Sequence, residues 1–420
     1  MPEFLKIIVY LIVFSLPVMS NMVEHSASVI LTALTLLGVF AWLTRKKKPG
    51  FEPGERLVIG AFTLYFFVCF FFYLANGLLR SGGSLSWNLD HELRFLAFGV
   101  ILYLFHRTGL KPWTLWYGAA AAAIIYGVFS VYYIYGMSVG DRATGAYNAI
   151  AFGDSALSMG FISLTGLRYF YEKHPALAAL PLAALACGII AAFLSGTRGV
   201  LLATPILGII FFIQLGSFRR PWRSRMILVL AVTFLSAGLY HLPGSSLGQR
   251  VRTGIIQANA FFNGEGTGDY VVRLAMWQQA WRMFMDHPVI GLGKDGYQQA
   301  IHEEAILKQV PESIIKFGSP HNMYLSNMVA YGVPGLLILL FVFIAPLWVF
   351  IPATRNWGAS MDLAYAGIMH IASFMLFALT ESIFFRNVNI NLYMILLAAL
   401  LTLTQFYRTE TWKTGNKGLP

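Results

Sequence analysis

Three stretches of this sequence carry residue types suited to chemistry on an anion. The first is Ser195-Gly196-Thr197-Arg198-Gly199, an arginine with glycine on both sides. Glycine lets a backbone approach a ligand closely. A guanidinium stays charged and offers forked donors that match phosphate oxygens. The second is Arg273-x-x-x-Trp277 with Pro288-x-x-Gly291-x-Gly293 after it. The third is Ser319-Pro320-His321-Asn322-Met323-Tyr324-Leu325, followed by Tyr331-Gly332-x-x-Gly335. An imidazole changes charge near neutral pH, so His321 is a candidate to take a proton from a substrate hydroxyl. The proline before it fixes the chain's entry angle into a helix. The plain alternative is that His321 is an interfacial residue that caps this helix.

The elements that must hold these residues are membrane helices. Of 420 residues, 57% are hydrophobic and only 12% charged, against about 25% charged in a soluble protein. Mean hydropathy is +0.64. A formal net charge of +11 would suggest nucleic acid in a soluble chain. Here it is expected to be mostly loop Lys and Arg that set topology, with no nucleic-acid partner. Cys69 and Cys187 both lie in apolar runs and form no disulfide framework or metal spacing. The first apolar run has one early cation, Lys6, and no small-x-small cleavage site, so it reads as an uncleaved first helix.

A helical span needs about 20 apolar residues. Twelve candidates are expected near 4–20, 26–44, 56–75, 93–106, 113–136, 148–169, 176–194, 199–215, 226–241, 323–350, 361–380 and 388–406. With the N-terminus in the cytoplasm, the inward loops carry most of the loop cations: Arg45 to Lys48 and Arg56, Arg107 and Lys111, Arg168 and Lys173, Arg219 to Arg225, Arg355, and the tail. This positive-inside pattern places both termini inside. Arg80, Arg94, Arg142, Arg198 and Arg386 then fall at the outer face, where the rule disfavours cations. Each alone can be a snorkelling or paired side chain. Several on one face suggest an anionic ligand there.

The long outward loop is too long for a plain connection. Val272, Met276, Ala280, Met283 and Phe284 recur at helical spacing within it, with Arg273 and Trp277 on another stripe. That helix is expected to stop at Asp286-His287-Pro288, and a second to cover about 298–309. The chain therefore divides into spans over 1–241, a loop with amphipathic helices over 242–321, and spans with a cytoplasmic tail over 322–420, all one membrane domain.

In order and spacing, the Ser-x-x-Arg-Gly turn, the Arg…Trp…Pro-x-x-Gly-x-Gly loop and the His-Asn helix start resemble the O-antigen ligase family. The related O-antigen polymerases and bacterial O-oligosaccharyltransferases share the pattern. The resemblance implies an all-α, GT-C-like glycosyltransferase of the bacterial inner membrane, working at the periplasmic face. It implies transfer of O-antigen from undecaprenyl diphosphate to a sugar hydroxyl of lipid A–core. The family's functional residues map onto Arg198, Arg273 and His321, with a looser match at Arg142. Arg198 and Arg273 would stabilise the leaving diphosphate, with Arg142, Arg80 and Arg94 as further anion-binding candidates. His321 would be the general base of an inverting reaction.

No cofactor is expected. The acidic candidates for a metal are Asp90-x-Glu92 and Glu303-Glu304, but arginine can do a metal's electrostatic work, so metal independence is expected. An O-antigen polymerase would use the same donor and arginines with a lipid-linked glycan as acceptor. A lipid-linked glycan flippase would need charges deeper in the spans. Ionisable groups here sit mainly at span ends, with His370 the main exception.

Overall fold

The structure, a computed structural model, describes residues 2–44, 50–80, 89–137, 142–217, 256, 259, 269–307 and 314–415, apart from the side chains at 78–80, 217, 269–271 and 410–415. Every regular element among them is helical. Helices α1 (Glu3–Met22), α2 (Ser26–Leu43), α3 (Pro53–Arg80), α4 (Phe98–Thr108) and α5 (Pro112–Val131) come first. Next come α6 (Ala149–Thr165), α7 (Leu167–Lys173), α8 (Ala179–Leu194) and α9 (Gly199–Ser217). Two cap helices, α10 (Asp269–Asp286) and α11 (Gly296–Ile306), precede α12 (Met323–Ile344), α13 (Leu347–Ala353), α14 (Ala359–Phe377) and α15 (Asn387–Gly415).

Among the described residues, nine helices are long and apolar enough to cross a membrane, or up to ten with one bent pair counted as a span. The chain is an all-α, multi-pass membrane protein. The expected span at 226–241 and the basic clusters at 45–48 and 219–225 lie outside the described residues.

Three of the expected spans depart from a single rod for a clear local reason. The fourth begins with a turn, Asp90–Leu93, and a 3-10 turn, Arg94–Ala97, before α4. Its polar start is held by ion pairs: Arg94 Nη2 lies 2.9 Å from Asp90 Oδ2, and Lys294 Nζ lies 3.0 Å from Glu92 Oε2. The sixth bends by 51° between α6 and α7. At the bend a Cβ on Gly166 would stand 2.7 Å from the Trp116 ring, so the glycine lets the indole pack into the corner. The tenth breaks inside α12 at Gly332, whose φ of 64° and ψ of −155° are non-helical.

Small residues set the closest packing. A Cβ on Gly127 of α5 would lie 2.5 Å from Cys187 Cβ of α8, and one on Gly188 would lie 2.5 Å from the Ala156 carbonyl of α6. Without water to drive association in lipid, such backbone approach is what holds helices together. It brings the start of α6 beside the α8–α9 turn. Helix α15 runs through the core and its span is 89% buried. Around its Tyr393 stand Phe374, His370 and Phe384, with ring centroids 4.9, 5.3 and 5.4 Å away. His370, the mid-span exception, is a core residue with Nε2 3.0 Å from the Tyr393 carbonyl.

The cap has its own small core of Met276, Ala280, Met283, Tyr297 and Ile301, closed by Val329 of α12. Its turn plugs the break in α12. Leu292 and Gly293 N–H donate to the carbonyls of Val329 and Ala330 at 2.7 and 3.0 Å, and Val333 N–H donates to the Pro288 carbonyl at 2.8 Å. A Cβ on Gly332 would lie 2.4 Å from that carbonyl. Backbone groups freed by a broken membrane helix must find partners inside the protein, and the cap supplies them.

Candidate active site

The Ser195–Gly199 turn is built by its own hydroxyls. Ser195 Oγ and Thr197 Oγ1 are 2.8 Å apart, and Thr197 donates onward to the Ala149 carbonyl at 3.0 Å. Gly196 sits at φ +63°, a conformation that suits glycine. Gly153 of α6 packs against the turn so tightly that a Cβ there would lie 2.2 Å from Ser195 Oγ. Arg142 is laced to the same turn, its Nε donating to the Ser195 carbonyl at 2.8 Å. Arg198 stands where α9 begins, next to the free N–H groups of a helix start, which favour anions.

His321 stands at the start of α12 with a left-handed φ of 48°. That conformation costs an ordinary residue roughly 1–2 kcal/mol and is held in place by bonds from the neighbouring residues. Asn322 caps α12, accepting from Leu325 N–H at 3.1 Å. Its amide also donates to the Leu379 carbonyl at 3.1 Å, and Met323 N–H donates to the Ala378 carbonyl at 2.8 Å. Ser326 and Ser382 hydroxyls meet at 2.8 Å. The start of α12 is thus sewn to the segment after α14. This sets Glu381 against His321, with carboxylate oxygens 3.1 and 3.2 Å from Nδ1. With Nδ1 held, Nε2 is the nitrogen left for a substrate proton. On the cap, Trp277 Nε1 donates to the Pro320 carbonyl at 2.9 Å. Arg273, one helical turn earlier on the same stripe, is carried over the site by that bond.

These parts enclose a cavity of about 270 Å³. Arg142, Arg198, Arg273, His321, Phe317 and Thr380 are among the residues that line it. Glu381 is only 3% exposed. Burial pushes its carboxyl up, but His321, Arg386 and Arg273 outweigh burial and hold it below the ordinary glutamate range. Arg386 Nη2 stands 3.7 Å from Glu381. Behind the wall lies Asp154 of α6, 6% exposed, with Oδ1 buried and without a hydrogen bond. It interacts electrostatically with Glu381 and Arg273. A Cβ on Gly199 would stand 2.6 Å from Thr380 Oγ1 and 3.9 Å from Asp154 Oδ1.

The structure thus gathers four of the six residues singled out from the sequence: Arg142, Arg198, Arg273 and His321. Arg94 is not among those lining the cavity; besides Asp90 it reaches Ser28 Oγ at 3.2 Å and Asn391 Oδ1 at 3.4 Å. Arg80 ends α3, and its side chain lies outside the described residues. Sequence reasoning missed Glu381 and Asp154. Each is a carboxylate next to or inside an apolar run, in a chain with few charges, and that was the available signal. Three of the four acids weighed as metal ligands have other partners: Asp90 has Arg94, Glu92 has Lys294, and Glu304 accepts from Gln279 at 2.8 Å. No group of three or more His, Cys, Asp or Glu side chains suited to a metal occurs among the described residues.

Chemically, three guanidinium groups around one cavity can hold a dianionic phosphate group. The His321–Glu381 pair beside them can accept a proton. Residues 183–340, which include Arg198, Arg273 and His321, match a family model described as O-antigen ligase. A Haemophilus influenzae protein described as uncharacterized is 24% identical over 361 residues, covering 84% of this chain and 88% of its own length.

Proposed function

We propose, starting from the match of residues 183–340 to an O-antigen ligase family model, that this membrane protein transfers O-antigen from undecaprenyl diphosphate to a sugar hydroxyl of lipid A–core. The protein works in the bacterial inner membrane, with its cavity at the periplasmic face and both termini in the cytoplasm. The observation that carries this reading is the meeting of Arg142, Arg198, Arg273 and the His321–Glu381 pair around one cavity.

Glu381 accepts from Nδ1–H of His321 and so presents Nε2 as the basic nitrogen. Nε2 takes the proton of the acceptor hydroxyl. The hydroxyl oxygen forms a bond to the anomeric carbon as the bond from that carbon to the diphosphate oxygen breaks. The electron pair leaves with the diphosphate, and direct displacement inverts the anomeric centre. Charge grows on the departing oxygen, where Arg198 and Arg273 stabilise it. Removing one such donor costs about 3–4 kcal/mol in comparable sites. The general base is worth roughly 10²–10⁴-fold. Arginines supply the electrostatics, so the reaction proceeds without a metal ion.

The test is a reconstituted assay with undecaprenyl-diphosphate-linked O-antigen, lipid A–core and a chelator. Transfer to lipid A–core that survives the chelator and is lost in His321→Ala is the expected result. Loss of product with the chelator alone would overturn metal independence. Glycan lengthening on the carrier, with none on lipid A–core, would make this protein a polymerase.

A further inference from the structure

The cap carries an apolar face that nothing among the described residues covers. Trp281 and Met285, one turn apart on α10, are 50% and 58% exposed. Val289 and Ile290, in the turn that plugs α12, are 67% and 37% exposed. The opposite side of α10 packs inward through Met276, Ala280 and Met283. Two exposed apolar side chains of membrane helix α12 stand next to this turn. Val333, hydrogen-bonded to Pro288, is 43% exposed, and Leu337 below it is 59% exposed on the same membrane helix.

Two helices fix the depth of this turn independently. The hydrocarbon core is crossed by about 20 helical residues. Counted along α3 from Arg56, its far edge falls at Asn76, and Asn76 Nδ2 donates to the Ile290 carbonyl at 3.3 Å. Counted back from Arg355 through α13 and α12, the edge falls near Val333, which donates to the Pro288 carbonyl at 2.8 Å. Both counts end on the same turn.

We propose that Trp281, Met285, Val289 and Ile290 form a membrane seat: the cap rests in the outer edge of the bilayer, with these side chains among the lipid acyl chains. Tryptophan and apolar residues on one side of a helix suit that boundary. The seat stands on the membrane-spanning fold. Its consequence for catalysis rests on the proposed reaction. A polyprenyl tail stays in lipid while its diphosphate reaches Arg273, so the helix carrying Arg273 must be held at the depth of the headgroups.

The experiment attaches an environment-sensitive fluorophore to the single variants Met285→Cys and Val289→Cys in phosphatidylethanolamine–phosphatidylglycerol vesicles. Wild type, whose Cys69 is buried and Cys187 partly buried in spans, gives the labelling background. Glu303→Cys, exposed on the cap helix α11, is the aqueous reference. Quenching by a lipid with a nitroxide on its acyl chain is expected to be several-fold stronger at 285 and 289 than at 303, with iodide in the water giving the reverse. Iodide quenching equal to that at 303 would overturn the seat. So would protection from both quenchers, which would mean a protein covers the face; disulfide-linked dimers of the same variants left unlabelled would identify that protein as a second copy. Depth is read without any turnover, so an inactive transfer assay would sink the reaction and leave this result standing.

Discussion

At the scale of residues, the His321–Glu381 contact decides most. Glu381 ionises more readily folded than unfolded, so its stabilising contribution is present above the ordinary glutamate value. It is lost as the pH falls through its lowered folded value. Transfer and thermal stability should therefore decline together at acid pH. In Glu381→Gln, which keeps the shape and loses the charge, the part of that decline due to this carboxylate should vanish, as a pH series of melting curves would reveal. Transfer by Glu381→Gln should fall at least about tenfold, and by His321→Ala by the full general-base factor of roughly 10²–10⁴. Arg198→Lys and Arg273→Lys should not rescue, because an ammonium lacks the forked donors. Single-turnover rates with donor and acceptor saturating should drop on the order of hundredfold. Asp154→Asn removes a buried titratable carboxyl that interacts electrostatically with Arg273 and Glu381 while keeping its volume. The expected outcome is a shifted pH–rate profile at unchanged melting temperature.

At the scale of elements, two glycines hold the cap on the membrane domain. Gly291 and Gly332 have φ of +70° and +64°, and a Cβ on either would press on backbone within 2.4 to 2.6 Å. Alanine at either position carries a left-handed penalty of roughly 1–2 kcal/mol, and the backbone around it must also move. Gly332→Ala should lower the melting temperature in detergent. It should also increase proteolysis within 269–306, because the turn no longer plugs the break. Trp277→Phe, which keeps an aromatic ring but loses the bond to the Pro320 carbonyl, should cost less stability than Gly332→Ala and raise the donor KM through a displaced Arg273. An equal fall in stability for the two variants would argue against this division of labour.

At the scale of the whole molecule, a buried ion pair ties the cap to the membrane helices. The side chains of Lys294 and Glu92 are 9% and 4% exposed, and Tyr331 Oη donates to the same carboxylate at 3.3 Å. Removing one partner of a buried pair leaves an uncompensated charge, at about 3–5 kcal/mol. Lys294→Met should be strongly destabilised in thermal denaturation, and Lys294→Met with Glu92→Gln should recover much of the loss. Arg94 tests the opposite expectation. Its own side chain is 13% exposed, but its Asp90 partner is 63% exposed, and pairs open to water on one side contribute little, about 0–1 kcal/mol for surface pairs. Arg94→Gln should retain transfer activity, and a large loss would return Arg94 to the anion site.

The sequence by itself determined what period and local type decide: the apolar runs, the cap helices, and the glycine, arginine and histidine motifs. Helix α11, expected over 298–309, forms over Gly296–Ile306, because hydrophobic spacing is a local property. The pairing of His321 with Glu381, 60 positions apart, was not legible. Nor was the fate of the Pro-x-x-Gly-x-Gly and Tyr-Gly motifs, whose glycines serve a backbone docking between the cap and α12 rather than a ligand. Neither was the separation of Arg94 from Arg198, since two cations on one face of a membrane look alike until side chains choose partners. Only the tertiary structure decided these points. Periodicity records which face of a helix is apolar, and carries no record of which distant helix that face will meet.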